Sequence, residues 1–344
     1  MSTANKMIGT VSANHSAIDV YLDTAAELSK VDRKNHHQAS EKGVPLVYDL
    51  MITVSTPPTD SSTPIAKALL AAGTVFTASN NWQTRNAIRM AHFTRLDLRR
   101  EAGVSKGAIG RYAKTMRMNL EYLMSDIAYV SQGAIPARDA RYQRLYAWSD
   151  PDSVPSHSST TAKFAGGVWD YTQLAQVETD DANAVSEYFL NVLGTHVGTP
   201  STGYTSVSCV KAYNERRQTT LDDSTATAGG DTQFVDNDSP FFRVPQQDAS
   251  EDAYVEITLD EQDNPPYDRT ILGDAIKAQP CEYFQLTANS SQVSFRVQAP
   301  MGLVKFAFTD LFGTGYDVVD PGESAWTLAQ DLFVEVECLG TYEM

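Results

Sequence analysis

The sequence is poor in sulphur, in histidine, in positive charge and in long apolar runs. Of its 344 residues only three are cysteines, Cys209, Cys281 and Cys338. They are odd in number and far apart, so neither a disulfide framework nor a CxxC metal pair can be read from them. No apolar stretch reaches the roughly 18–20 residues of a membrane-spanning helix. Met1–Val11 has neither the basic start nor the apolar core of a secretory signal. Catalytic signatures are missing too: there is no GxxxxGK[ST] loop, no GxGxxG after a strand, no HExxH and no GxSxG elbow. Six histidines (His15, His36, His37, His92, His157, His196) are scattered, none beside a cysteine or a carboxylate cluster in a ligand-like spacing. His36 and His37 are adjacent, and neighbours on an extended chain point opposite ways. The sequence therefore predicts a protein that is not an enzyme, with no cofactor and no metal. Asp231, Asp236 and Asp238 have the oxygen chemistry for calcium, but a solvated acidic loop is the simpler reading.

Positive charge is scarce overall: 27 Lys and Arg against 43 Asp and Glu, a net charge of −16. Such a balance argues against a generic polycationic nucleic-acid binder and favours solubility. The distribution says more. Arg85–Arg144 holds ten Arg and two Lys against five acids, a net +7, whereas Leu145–Met344 holds nine bases and 31 acids, a net −22. A basic middle and an acidic C-terminal portion fit a face aimed at an anion, either nucleic acid or an acidic neighbouring subunit.

What the chain does have is core-forming mass, with 13 Phe, 16 Tyr and 4 Trp. Met1–Lys42 is polar and almost neutral, with a short helix expected over Ile18–Leu28 and an extended arm over Val31–Gly43. Val44–Val54 is β-branched and apolar and predicts a strand. Ser61–Ala72 is expected to form a short helix opened by Pro64, and Thr74–Ala78 a strand. Two helices follow. Trp82–Glu101 puts Ala87, Met90, Ala91, Phe93 and Leu98 on one side and Arg85, Arg89, Arg95, Arg99 and Arg100 on the other. Lys106–Met124 carries Ile109, Tyr112, Ala113, Met116, Leu120 and Leu123 in helical spacing, with Lys106, Arg111, Lys114 and Arg117 completing the basic set.

Short strands are expected thereafter at Ile127–Val130, Arg144–Trp148, Gly167–Tyr171, Tyr188–Leu193, Tyr204–Tyr213, Phe241–Val244 and Ala253–Leu259. More follow at Glu282–Leu286, Val293–Val297, Leu303–Phe308 and Leu332–Leu339. Gly, Pro, Asn, Asp and Ser clusters separate them, with long loops at Pro151–Thr161 and Leu221–Pro240. The fold class predicted is mainly β, an antiparallel sandwich. Leu98–Tyr112 (LRREAGVSKGAIGRY) also has the outline of a helix-turn-helix within residues 86–118. That outline supports an alternative reading as a sequence-specific DNA-binding regulator. Against it, Arg99 stands where a small residue is usual, and Gly107 and Gly110 weaken the second helix. A third reading is a carbohydrate-binding or adhesin sandwich.

A resemblance bears on the choice. It is carried by KGVPLVYDLMITV (Lys42–Val54), by Asn80–Arg117 and by GGVWDYTQLA (Gly166–Ala175). YTSVSCVKAYNERR (Tyr204–Arg217), DEQDNPPYD (Asp260–Asp268) and APMGLVKF (Ala299–Phe306) continue it. In texture and segment order, over most of the chain, these resemble the coat (major capsid) proteins of small tailless icosahedral DNA viruses and phages. The resemblance implies a jelly-roll capsid protein of the virion, self-assembling in many copies as a structural homo-oligomer. Its partners would be further copies of itself and minor capsid proteins, with genomic DNA or an internal membrane at the inner face. The implied organisation is an N-terminal arm over 1–43 and jelly-roll domain(s) over 44–344 with a helical insertion at about 80–125. It leaves open one sandwich or two stacked, the second from about residue 200. The neutral N-terminus departs from the Arg-rich tails of DNA-packaging coats, which throws the basic role onto Arg85, Arg89, Arg95, Arg99, Arg100, Lys106, Arg111, Lys114 and Arg117. The tailed-phage coat fold, with its arm, hairpin and long helix, is a third architecture.

Overall fold

Thirteen strands and three helices make up the regular structure of the described residues. They come from a computed structural model that describes residues 6–11, 18–32, 34–55, 69–124, 142–144, 171–177, 185–199, 203–217, 276–287, 290–311 and 332–344. In chain order they are β1 (Lys6–Val11), β2 (Ile18–Asp23), α1 (Thr24–Asp32), β3 (Leu46–Ser55), β4 (Leu69–Thr77), α2 (Trp82–Glu101) and β5 (Tyr142–Arg144). Then come β6 (Gln173–Val177), β7 (Val185–Asn191), β8 (Val197–Thr199), β9 (Gly203–Ser208), α3 (Cys209–Arg217), β10 (Gln279–Thr287), β11 (Gln292–Pro300), β12 (Leu303–Leu311) and β13 (Leu332–Glu343).

The protein is mainly β, with antiparallel pairing dominant. The first sheet has the order β1-β13-β3-β11 and the second β10-β4-β12-β2-β5. Every pairing in them is antiparallel except the edge strand β5, which runs parallel to β2. Period-2 alternation sets their inner faces. On β3, Tyr48, Leu50, Ile52 and Val54 are buried while Asp49, Met51, Thr53 and Ser55 are partly exposed. On β13, Leu332, Val334, Val336 and Cys338 alternate with half-exposed Phe333, Glu335 and Glu337. These inner faces share one apolar core with Val20 and Leu22 of β2, Val75 of β4, Phe284 and Leu286 of β10, and Val304, Phe306 and Phe308 of β12. Phe284 stacks on Phe295 at 5.7 Å between ring centroids and meets Phe308 edge-on at 5.6 Å.

Between β4 and β10 the described chain forms an insertion that leaves the second sheet, apart from its edge strand β5, and β10 returns as the antiparallel neighbour of β4. This insertion holds α2, α3 and a third sheet of order β6-β7-β9-β8. Its own core joins Ala87, Ile88 and Ala91 of α2 to Met116, Met118, Leu120, Leu190, Val192, Val207 and Cys209. Tyr21, Met301 and Leu303 belong to this second core, so the outer side of β2 and β12 is covered by the insertion. The described strands after residue 276 all rejoin the first two sheets.

Several local expectations are corrected. The helix expected over Lys106–Met124 does not form. Single 3-10 turns occupy Lys106–Ala108, Arg111–Ala113 and Tyr122–Met124, and the chain between is extended. Gly107 and Gly110 remove the helical preference, and Asn119 instead bonds across to the Leu190 carbonyl while Val192 and Leu193 return bonds to Asn119 and Leu120. The helix expected over Ile18–Leu28 is β2 followed by α1, because Asp23 caps α1 by accepting from the Ala26 amide at 3.0 Å. The strand expected over Tyr204–Tyr213 is β9 followed by α3, and the end of the helix expected over Ser61–Ala72 is the start of β4. Residues 6–32, read as part of an arm, contribute β1 and β2 to the two sheets and α1 to the core. The strands expected at Ile127–Val130, Phe241–Val244 and Ala253–Leu259, and most of Arg144–Trp148 and Gly167–Tyr171, lie outside the described residues. So do the loops Pro151–Thr161 and Leu221–Pro240 and the acidic Asp231–Asp238.

Candidate functional site

The basic segment begins with α2. Asn81 starts the helix, its side-chain oxygen accepting from the Thr84 amide at 3.0 Å. Gly103, with φ +74°, ends it, and the Gly103 and Val104 amides bond back to the Arg100 and Arg99 carbonyls. The chain then turns across the helix. Ser105 accepts from the Gly107 amide at 3.2 Å, and residues 113–118 run beside α2.

The nine expected cations divide between inside and outside. Arg95 is buried and donates to the Thr115 carbonyl at 3.1 Å and the Ala113 carbonyl at 3.0 Å. Half-buried Arg99 donates to the same Ala113 carbonyl at 3.2 Å. Arg117 is buried beside them. The Arg95 and Arg99 guanidiniums satisfy main-chain oxygens that a non-helical segment would otherwise leave without partners. The arrangement is costly for the charge: burial first, then the neighbouring Arg99 and Arg117, lower Arg95 to about 10. Burial also lowers Arg99. Arg85, Arg89, Lys106, Arg111 and Lys114 are exposed, as is Arg100, which pairs with Asp97 at 3.1 Å. An exposed pair of this kind contributes little to stability.

The loop over 34–43 closes on this segment. Thr115 Oγ1 and His37 Nδ1 lie 3.0 Å apart, and the His37 carbonyl accepts from Tyr48 Oη at 2.7 Å. Gln38 is fully buried and bonds both ways to Met118, accepting from its amide at 2.6 Å and donating to its carbonyl at 3.0 Å. Asp23 Oδ2 accepts from Gln38 at 2.8 Å and from Tyr171 Oη at 3.1 Å. A further polar cluster ties the insertion to β2 and β12. Lys305 Nζ lies 2.9 Å from Asp19 and 2.8 Å from Glu121, and Tyr21 donates to Glu121. In the insertion core, His196 Nδ1 accepts from the Ser208 amide at 3.2 Å and its Nε2 meets Glu215 at 2.9 Å. Among the described residues no group of three or more His, Cys, Asp or Glu is gathered as a metal site.

Charge and burial together set a pH dependence. His37 is lowered by burial and then by Arg117, His36 and Arg111, against a smaller opposing effect of Glu41. His92 is lowered by burial and then by Arg95 and Arg99. Both are therefore neutral in the folded protein over a range where the unfolded chain, with an ordinary histidine value of 6.5, takes up protons. Protons bound by the unfolded chain favour it, so stability rises with pH across that window and is lost as pH falls through about 6.5. Thermal midpoints are expected to drop between pH 7 and pH 5, and the double variant H37Q/H92Q to show a shallower drop. An equal slope in the variant would refute this assignment.

One feature escaped the sequence reading: Phe93, assigned to the apolar side of α2, is 50% exposed. Trp82, on the basic side, is 41% exposed with its ring edge-on to Tyr213 at 6.3 Å. The buried residues of the helix are Thr84, Ala87, Ile88, Met90, Ala91, His92 and Arg95. Their arc excludes Trp82, Arg85, Arg89 and Phe93. Comparison with protein-family models, with curated proteins and with solved structures finds no match to this chain.

Proposed function

We propose that this chain is a structural coat subunit, a jelly-roll major capsid protein that self-assembles in many copies into an icosahedral shell around a genome. The observation that carries the reading is the strand order. Taking β1, β2, β3, β4, β10, β11, β12 and β13 as eight consecutive strands, the first pairs with the eighth and the second with the seventh. The third pairs with the sixth and the fourth with the fifth, all antiparallel. Rolling that four-rung ribbon also brings the eighth beside the third and the seventh beside the fourth. This nesting supports the reading as a double Greek key of the jelly-roll kind, an architecture found in viral coats, lectins and cupins.

Within that set a wall subunit is favoured. The space between the sheets is filled by Phe284, Phe306, Phe308, Tyr48 and Leu50, each at most 2% exposed, so the sandwich interior is packing rather than a ligand chamber. The insertion at the β4–β10 connection adds a second packed unit to one side, the kind of elaboration that carries contacts with neighbours. The role is structural rather than catalytic, the location is the virion, and minor coat proteins, DNA or a membrane would meet the shell's inner side. The regulator alternative relied on a recognition helix at Ser105–Arg117, where the described structure has two 3-10 turns and an extended run.

The test is sedimentation and electron microscopy of the purified full chain over a range of salt concentrations. The expected result is a megadalton particle. A strictly monomeric protein under every condition overturns the proposal, and glycan-array binding by that monomer would favour the lectin-like use of the same strand order.

A further inference from the structure

One face of α2 is turned to solvent. At about 100° per residue, Trp82, Arg85, Arg89, Phe93 and Arg100 fall within an arc of roughly 80°. Trp82 and Phe93 are 41% and 50% exposed, and the three arginines are exposed as well. Across the turn that ends the helix lie exposed Val104, Lys106, Arg111 and Lys114. Of these cations only Arg100 meets a carboxylate among the described residues, namely Asp97. Arg85, Arg89, Lys106, Arg111 and Lys114 have none there. A stripe of large aromatics interleaved with arginine is the composition of protein contact centres, where Trp, Tyr and Arg carry most of the binding energy.

Charge identifies the occupant. The chain carries −16 in all, and residues 85–144 carry +7, which leaves −23 on the rest. A second copy therefore brings complementary charge. Nucleic acid fits less well. It would be repelled by the remainder of the subunit, and Arg95, Arg99 and Arg117 are turned inward and half or fully buried.

Laid directly on its own duplicate, the stripe would set cation against cation, which costs several kcal/mol for close like charges. The stripe must therefore meet a different, acidic part of the other copy. We infer that the Trp82–Arg85–Arg89–Phe93 stripe, with Arg111 and Lys114, is a contact by which one copy takes acidic residues of another. A contact between unlike parts of two copies is compatible with reciprocal pairing and with closure into rings or larger assemblies. This inference rests on the shell-subunit reading and supplies one of its contacts.

The test compares the full-length wild type with R85E/R89E and R111E/K114E by sedimentation velocity at low and high salt. Thermal midpoints and far-ultraviolet circular dichroism serve as folding controls, because exposed substitutions leave stability nearly unchanged. The wild type is expected to associate and to weaken as salt rises. Each reversal is expected to raise the concentration needed for association by about tenfold or more. If a reversal impairs folding, R85Q/R89Q gives the same readout with a smaller shift in the same direction. Variants that assemble as the wild type does overturn this contact and leave the shell reading standing. So do variants that assemble normally but lose co-purifying nucleic acid, which would assign the stripe to that ligand. A wild type that stays monomeric at low salt overturns both.

Discussion

Phe306→Ala is expected to destabilise the protein by about 3–5 kcal/mol, the range for emptying a fully buried phenylalanine site. Phe306 lies at the middle of β12, opposite Val20 on one neighbour and Val75 on the other. Its side chain is 0% exposed, and its ring stacks near that of Phe308 with centroids 6.4 Å apart and planes 20° from parallel. Both flanking strands are pinned by main-chain bonds, so the walls cannot close over the missing ring, and the cavity adds to the lost transfer energy. Against a total stability of about 5–15 kcal/mol, that loss leaves a large fraction of the protein near its unfolding threshold. Urea denaturation should show a fall in the midpoint with an unchanged slope. Phe93→Ala, on the exposed side of α2, serves as the control and should stay within about 0.5 kcal/mol. If Phe306→Ala costs under about 1 kcal/mol, Phe306 does not lie between the sheets.

Gly43→Ala is the second large effect. Gly43 has φ +77°, a region costing an L-residue about 1–2 kcal/mol. An added Cβ would also stand 2.5 Å from Cγ and 2.6 Å from Cβ of His92. His92 is 3% exposed and held by α2, so it has little room to retreat. Overpacking of this kind adds about 1–3 kcal/mol. Gly103 separates the two causes. It has φ +74°, and a Cβ added there would meet nothing within 4 Å, so Gly103→Ala should show the backbone cost alone. Thermal melts of both variants give the difference, and equal losses would remove the His92 contact from the account. Gly43 thus sets how closely the 34–43 loop approaches α2, and with it the placing of His37 against Thr115.

These two sites mark what was legible in the sequence and what was not. β3, β11 and β13 could be read because one side of each is buried and the other is not, and that contrast is written at period two. β1 could not: six residues, KMIGTV, carry too short an alternation to distinguish a strand from a polar arm. Its partner β13 lies at the far end of the chain, and long-range pairing leaves no local trace. The segment 113–120 misled for a different reason. Met116, Met118 and Leu120 are all buried, but in an extended run sandwiched between α2 and β7, where helical spacing carries no meaning. The positive segment was visible from a count of charges. Which arginines face water was not, because Arg95 turns inward to carbonyls that arrive only when residues 113–115 fold beside it.

The position of β13 has a consequence for synthesis. In the first sheet β13 lies between β1 and β3, and β1 touches no other strand there. Lys6 is opposite Glu337 and Val11 opposite Leu332. An emerging N-terminus must therefore wait for more than three hundred residues of translation before its place exists. At roughly 5–20 residues per second, that is on the order of 15–70 seconds. Until then the inner faces of β3 and β11 have an open flank, exposed to other nascent chains and to chaperones. The strand order thus postpones closure of the first sheet until its last described strand has been made, and makes that flank the latest part of the fold to be covered.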